Sequence, residues 1–301
     1  MNAREVVSIA FGRGKGWLVS LRVYLDGAGK EEANPVITVG GFLADSDLCV
    51  QIADQWNDAT GGRVFHLTDF GTKSCKLGSR DWTQAERTAF LMRLAAIVNQ
   101  PGVYVVSASL EVAAFNTVLY GAAHPQELGP ASSGCAYIAV LNVETLLRNE
   151  QRQRQEVSYV FEKGDREHEI TKTFADWDKK NSELKDMRSH AFLPKKTTLL
   201  QPADLVAGMV QRCVLSAFNT HPTVGLDNGL ARTRLQTFDR NYSPDGVTAA
   251  VVTGHDTTKC WVMNAQSFTF LDKIGKDFFE RNPDELRKRL KQAPYKPKVT
   301  I

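Results

Sequence analysis

Cysteine is scarce in this sequence, and its few copies lie far apart. The five cysteines are Cys49, Cys75, Cys135, Cys213 and Cys260. No two of them have the short spacing of a zinc-binding knuckle, and an odd number of scattered thiols argues against a disulfide framework. We therefore expect buried free thiols in a reducing compartment.

Long uncharged apolar runs are also missing. No stretch reaches the roughly eighteen apolar residues that a transmembrane helix requires, so we expect no membrane span. Residues 1–20 carry charges through their apolar stretch, unlike the continuous apolar region of a secretory signal peptide. Together these absences predict a cytoplasmic protein.

The chain also lacks a strong net charge. Its formal charge is +3, too small to identify a nucleic-acid-binding protein by itself. The hydrophobic content of 43% and charged content of 24% exclude a wholly disordered chain and allow a large core. Basic residues are concentrated in segment 281–298. This segment is either a solvated helix end with a tail, which we favour, or an arm that contacts phosphates.

The patterned segments predict an α/β fold with a mixed sheet and helices on both faces. Two apolar runs around a Gly-rich turn, at 17–25 and 35–43, predict an antiparallel hairpin. Further predicted strands are 63–67, 103–108 and 157–161, and predicted helices are 46–58, 83–99, 135–147, 166–179 and 202–217. Strands that begin as a hairpin and then alternate with helices are typical of a mixed sheet.

The domain organisation follows from the absence of repeats and of a low-complexity linker. We predict one domain over 1–222 and a C-terminal extension over 223–301, packed on the core and ending in the basic tail. Within the extension, 247–252 and 260–262 are predicted strands and 267–280 a predicted helix. The apolar helix at 135–147 suits either the core or a homodimer or partner-protein contact.

Three carboxylates lie where a sheet would bring them together. Asp26 follows the first strand, Glu162 follows the strand VSYVF, and Asp204 lies in the first turn of the helix LLQPADLVAGMV. Acids that converge repel each other unless a cation lies between them, and Mg²⁺ or Mn²⁺ prefers such oxygen ligands. Two such ions could activate water and stabilise the leaving oxygen in phosphodiester cleavage.

Each acid also has a structural explanation. Asp26 opens a Gly-rich turn, where Asp bonds local backbone groups. Glu162 could pair with Lys163, and Asp204 follows Pro202 in a first helical turn, where an acid gains about 0.3–1 kcal/mol from the helix dipole. The functional interpretation depends on all three acids together.

Five segments in this order resemble one known family. They are YLDGAG, a second strand containing Gly40-Gly41, HLTDF, VFEKGD and LLQPADLVAG. The pattern resembles the bacterial family known as domain of unknown function 3800, which is grouped with the ribonuclease H-like fold. The resemblance spans roughly residues 18–215, and LLQPADLVAG is its most specific part.

The resemblance implies a ribonuclease H-like mixed sheet and a carboxylate site. It implicates Asp26 and Asp204 directly and Glu162 as the acid after the later strand, with Asp165 as a neighbouring candidate. His66 and Asp69 match its His-containing segment. The chain departs from the family where Asp-Glu-Ser-Gly is usual, because here Asp26 is followed by Gly27-Ala28-Gly29.

His66 has two possible roles. With Asp69 three residues on, it could face the site as a general acid for the leaving oxygen. It could equally be a partly buried histidine bonded to a backbone carbonyl.

Two functions remain open from the sequence. The first is a Mg²⁺- or Mn²⁺-dependent nuclease that acts on DNA or RNA, with Asp26, Glu162 and Asp204 as metal ligands assisted by His66 or Asp165. The second is a catalytically silent ribonuclease H-like module that binds nucleic acid or a partner protein. A silent module predicts acids that lie apart or are bridged by Lys163 or Lys195. The resemblance suggests phage defence or a mobile element as a setting for either function.

Overall fold

The structure is a computed structural model that describes residues 21–70, 72–112, 130–164, 167–180, 187–220 and 260–263. The strands are β1 (Leu21–Ala28), β2 (Val36–Asp45), β3 (Tyr104–Glu111), β4 (Val157–Glu162), β5 (Arg188–Leu193) and β6 (Cys260–Met263). The helices are α1 (Ser46–Thr60), α2 (Gln84–Val98), α3 (Ala131–Asn149), α4 (Glu167–Lys180) and α5 (Leu200–Thr220).

The strands form one open mixed sheet in the order β5-β4-β1-β2-β3-β6. β1, β2 and β3 pair in antiparallel fashion, which confirms the predicted hairpin. β4 runs parallel to β1, and β5 runs parallel to β4. β6 pairs with the other edge, parallel to β3. The parallel strands β1 and β4 therefore lie side by side in the interior of the sheet.

Helices cover both faces of the sheet, as the sequence predicts. Successive side chains of a strand point to opposite faces. In β1, Val23 and Leu25 pack in the core beneath α3 and α4, whereas Tyr24 packs in the core beneath α1, α2 and α5. Both faces of β1 are thus buried, which explains its nearly continuous apolar sequence.

The predicted helices are present, and their ends follow the sequence signals. Thr83 and Glu86 form a capping box at the start of α2, because each side chain accepts from the other's backbone N–H. Asp45 caps α1 by accepting from the Leu48 N–H, and Gly61 ends that helix with a φ of 62°. α3 begins at Ala131, earlier than predicted, and the Glu31 carboxylate accepts the Ser132 N–H in its first turn.

One strand prediction is wrong, and one observed strand is absent from the predictions. Segment 63–67 forms no strand, because side chains of α5 rather than a neighbouring strand accept its backbone N–H groups. β5 was not predicted at all. It lies at the edge of the sheet, and most of its side chains are partly exposed, so its sequence RSHAFL carries little apolar signal.

Of segment 223–301, the structure describes only β6, which covers the predicted strand 260–262. The predicted strand 247–252, the predicted helix 267–280, the basic segment 281–298 and Asp165 lie outside the described residues. None of the helices in the described ranges has the length and apolar composition needed to cross a membrane.

Candidate active site

The register of β1 and β4 places two of the predicted acids side by side. Leu25 pairs with Phe161 as the last parallel pair, so Asp26 and Glu162 are the next residues on the two strands. Both acids belong to the side-chain set that faces α5, because alternate residues of a strand share a face. The register therefore brings Asp26 and Glu162, two of the three predicted acids, together at this end of the sheet, although β1 itself continues to Ala28.

Asp26 is buried with an exposed fraction of 7%, and it accepts the Gly27 N–H at 2.7 Å. Burial raises the pKa of Asp26 to about 8, helped by a hydrogen bond with Glu162 and by the nearby charges of Asp204 and Glu162. A carboxyl whose pKa is this high holds a proton at neutral pH and can donate it to Glu162. The pair therefore needs either this shared proton or a cation in its place.

Asp204 binds the segment that carries His66. Its Oδ2 accepts the Leu67 N–H at 2.7 Å, and its Oδ1 lies 3.0 Å from His66 Nδ1. One turn earlier on α5, Gln201 Oε1 accepts the Phe65 N–H at 2.8 Å and the Trp56 Nε1–H at 3.1 Å. This explains how a carboxylate is tolerated in an apolar helix: both of its oxygens have partners on a neighbouring segment.

The Gln201 and Asp204 side chains thus take the place of a strand beside segment 65–67. They accept the N–H groups of residues 65 and 67, which are the alternate donors that an adjacent strand would have bonded. Gln201 is buried, with an exposed fraction of 4%, so loss of its oxygen would leave two buried donors without a partner. Gln201 and Asp204 are therefore positioning residues for His66.

His66 connects Asp204 to a lysine. With Nδ1–H donating to Asp204, Nε2 is the acceptor for Lys195 Nζ at 3.0 Å. The same Nζ lies 3.9 Å from Glu162 Oε1. The hydrogen bond with Asp204 raises the pKa of His66, and this outweighs the opposing effects of burial and of Lys195. The His66, Lys195 and Glu162 side chains thus form a continuous polar row beside Asp26.

Asp69 lies in the turn that follows His66, where its N–H donates to the His66 carbonyl at 3.1 Å. Its charge is the smallest of the effects that raise the pKa of His66. Its contribution is therefore electrostatic and secondary. Asp165, the other neighbouring candidate, lies outside the described residues.

A cavity of about 340 Å³ opens beside the two acids. Asp26 and Glu162 line it together with three lysines, Lys30, Lys163 and Lys195. Its remaining walls include buried apolar side chains of α3, β4 and α4. The cavity thus joins a carboxylate pair, a basic rim and an apolar interior.

The carboxylates of Asp26 and Glu162 suit a magnesium-type ion better than the set of three that also includes Asp204. In the ranges that the structure covers, no three or more His, Cys, Asp or Glu side chains are grouped so as to hold a metal ion. Both Asp204 oxygens already bond to the His66 segment, whereas Asp26 and Glu162 lie side by side at the cavity, and the pKa of Asp26 is raised to about 8. Mg²⁺ is commonly held by one or two carboxylates plus waters and substrate phosphate, so the Asp26–Glu162 pair fits such an ion.

Sequence reasoning missed the positioning role of Gln201 and the presence of Lys30 in the cavity. The spacing of Gln201 and Asp204 was a usable signal, since residues three apart on a helix share a face. Nothing in the sequence indicated that this face meets segment 65–67.

We expect Asp204→Asn to lower the pKa of His66, because the hydrogen bond to the charged carboxylate is the main cause that raises it. An NMR titration of the histidine ring protons measures this directly. Asp69→Asn is the matched control, and it should lower the His66 pKa by a much smaller amount. An unchanged His66 pKa in Asp204→Asn would contradict the contact.

No protein-family model matches this sequence, and a search of curated proteins finds no match either.

Proposed function

We propose that this protein is a Mg²⁺- or Mn²⁺-dependent nuclease that hydrolyses phosphodiester bonds in DNA or RNA. The observation that carries the proposal is the pairing of buried Asp26 with partly exposed Glu162 at the end of two parallel strands, beside a cavity with a basic rim. Ligand sites in open α/β sheets gather at the carboxyl ends of parallel strands. Carboxylates attract the ion, and the lysines attract phosphate.

The arrangement of strands supports a ribonuclease H-like fold as part of this proposal. An antiparallel β1-β2-β3 unit is extended on the β1 side by the parallel strands β4 and β5. The Asp26–Glu162 pair at the end of β1 and β4 also supports the proposed resemblance to domain of unknown function 3800. Gly27 and Ala28, where that family usually has Glu and Ser, carry no oxygen ligand in a side chain, so ion binding would fall to Asp26 and Glu162.

In hydrolysis, a water oxygen bonds to phosphorus and the P–O bond to the leaving nucleotide breaks. One proton leaves the water, and one reaches the leaving oxygen. A bound Mg²⁺ or Mn²⁺ would offset phosphate charge and favour loss of the water proton. Asp26 and Glu162 would hold that ion, and Lys195 would contact the phosphate.

His66 is the candidate proton donor to the leaving oxygen. Its ring is fixed through Nδ1 by Asp204, so Nε2 faces the site beside Lys195. The carboxylate of Asp204 raises the pKa of His66, which favours the protonated ring. In that form Nε2–H is a donor, so the Lys195 ammonium that Nε2 accepts from in the structure would have to move away before Nε2 could protonate the leaving oxygen. Asp204 therefore acts through His66 as a positioning residue.

One contact favours the second function, a catalytically silent module that binds nucleic acid or a partner protein. Lys195 Nζ lies 3.9 Å from Glu162 and 3.0 Å from His66, so an ammonium already supplies positive charge to the acids. Because Lys195 is exposed on 48% of its side chain, it can move away when another cation binds. The contact therefore favours the silent module as long as no metal ion displaces Lys195, and metal binding distinguishes the two functions.

Metal-dependent cleavage separates the two functions. Labelled single-stranded DNA and RNA are incubated with the protein and Mn²⁺, with Mg²⁺, or with a chelator, and the products are resolved by length. The nuclease predicts cleavage with either ion and none with the chelator. Binding of the strands without cleavage under all three conditions would contradict the nuclease and support the silent module.

A further inference from the structure

We infer that the cavity beside Asp26 and Glu162 takes one unpaired nucleotide, with its phosphate at the acids and lysines and its base in the apolar interior. This inference deepens the proposed function and rests on it. It names the substrate as a single strand, or a strand end, from which one nucleotide can leave the stack.

The cavity has two chemically different parts. At its mouth lie Asp26, Glu162 and the three lysines, with Lys30 after β1, Lys163 after β4 and Lys195 after β5. Its interior is formed by Ala136, Phe161 and Ile170, which are buried to exposed fractions of 6% or less. A polar mouth and an apolar floor match the phosphate and the base of one nucleotide.

The size of the cavity limits what can enter. A volume of about 340 Å³ lies in the range of small-molecule sites, which runs from roughly 300 to 1,000 Å³. Gly27 and Gly29 line part of its wall. A base that is paired within a duplex cannot reach a floor between helices without leaving the stack.

A second cavity, of about 10 Å³ and too small for a base, shares Ala136, Phe161 and Ile170 with the first and is lined further by Tyr137 and Phe174. The part of the floor that a base can reach is apolar and includes the aromatic ring of Phe161. Aromatic and apolar walls favour nucleobases, and base contacts of this kind are worth about 1–3 kcal/mol per base in single-strand-binding proteins. The floor can thus contribute to the binding of any of the nucleobases.

The lysines, rather than the start of α3, supply the positive charge for the phosphate. The Ser132 N–H at the start of α3 already donates to the Glu31 carboxylate at 2.6 Å. Lys30 and Lys163 are exposed and reach the cavity from the loops after β1 and β4. A phosphate between these lysines would lie beside the Asp26–Glu162 pair.

The inference is tested with two probes, one of which has a base and one of which lacks it. Thymidine 5′-monophosphate and 2-deoxyribose 5-phosphate are titrated calorimetrically into the full chain in saturating Mn²⁺. We expect the nucleotide to bind about tenfold or more tightly than the sugar phosphate, from the energy of one base contact. Equal affinity for both probes would overturn the inference.

Two variants locate the two parts of the nucleotide. Ala136→Leu fills the floor, so the advantage of the nucleotide should fall to less than about twofold while Mn²⁺ binding is unchanged. Lys163→Ala should weaken both probes by about two- to fivefold, as expected for an exposed charge. The matched controls are Ala175→Leu on the exposed side of α4 and Lys196→Ala next to Lys195, and both should behave as wild type.

The outcomes separate this inference from the proposed function. Mn²⁺ binding with no preference for the nucleotide overturns the base site and leaves the nuclease proposal intact. Absence of Mn²⁺ binding overturns the nuclease proposal and this inference together. A preference that persists in Ala136→Leu shows that the base binds elsewhere and also overturns the inference.

Discussion

Asp26→Asn is expected to lower the rate of phosphodiester hydrolysis by about a thousandfold. The change preserves the shape of the side chain but removes the negative charge that holds the cation. Stabilisation of the transition state by a bound metal ion is worth several kcal/mol, and each 1.36 kcal/mol corresponds to a tenfold change in rate. Cleavage of a labelled single strand in saturating Mn²⁺ measures the loss.

The same variant should be at least as stable as the wild type without metal. The pKa of Asp26 rises from 3.8 to about 8 on folding, so the folded state favours the protonated form. Stability is then full below about pH 4 and falls as the pH rises toward 8. Asn carries no proton to lose, so Asp26→Asn should not show this decrease, and its stability at pH 8 should exceed that of the wild type by about 0.5–2 kcal/mol.

Glu32→Gln is the control for both measurements. Glu32 is exposed and lies a few residues after Asp26, outside the cavity lining. Its replacement should leave both the cleavage rate and the pH dependence of stability unchanged. Cleavage by Asp26→Asn at the wild-type rate would rule out the Asp26 carboxylate as a ligand for the catalytic ion.

Arg188→Met should destabilise the fold by about 3–5 kcal/mol, the cost of breaking a buried ion pair by removing one partner. The Arg188 guanidinium is fully buried and donates to both Glu144 oxygens, through Nε at 2.6 Å and Nη2 at 2.8 Å. It also donates to the carbonyls of Gln153 and Gln155. The variant would leave the Glu144 carboxylate buried with Tyr159 as its remaining side-chain partner.

Urea unfolding of Arg188→Met measures this cost, and two further variants identify its origin. Arg148→Met removes an exposed arginine from the same end of α3 and should change stability by less than about 1 kcal/mol. Adding Glu144→Leu to Arg188→Met removes the orphaned charge and should recover much of the loss. A decrease of less than 1 kcal/mol in Arg188→Met would show that the ion pair does not hold β5 to α3.

The sequence predicts the layered architecture because burial leaves a local pattern. The strands of the sheet interior have apolar residues on both faces, and the helices have regular apolar stripes or cap signals such as Thr83 with Glu86. Edge strand β5 is partly exposed and short, so it lacks that pattern. Its pairing with β4 joins segments that are distant in sequence, and no local sequence pattern indicates it.

The acids of the candidate site can be predicted from the sequence, but the contacts that each acid makes cannot. The positions of Asp26 and Glu162 near strand ends indicated that they could meet, and the β1–β4 register brings them together. The partners of Asp204 depend on how α5 crosses segment 65–67, which no spacing within LLQPAD encodes. The three-acid metal site stays a prediction, and the contacts support the Asp26–Glu162 pair as its centre.

The most direct test of the central claim is an isothermal titration of Mn²⁺ into the wild-type chain and into Asp26→Asn. The account predicts stoichiometric binding to the wild type, release of a proton as the ion replaces the one shared by Asp26 and Glu162, and no binding to the variant. Glu32→Gln should bind as the wild type does. Binding that is equal in wild type and Asp26→Asn, or absent from both, would contradict a metal site at the Asp26–Glu162 pair.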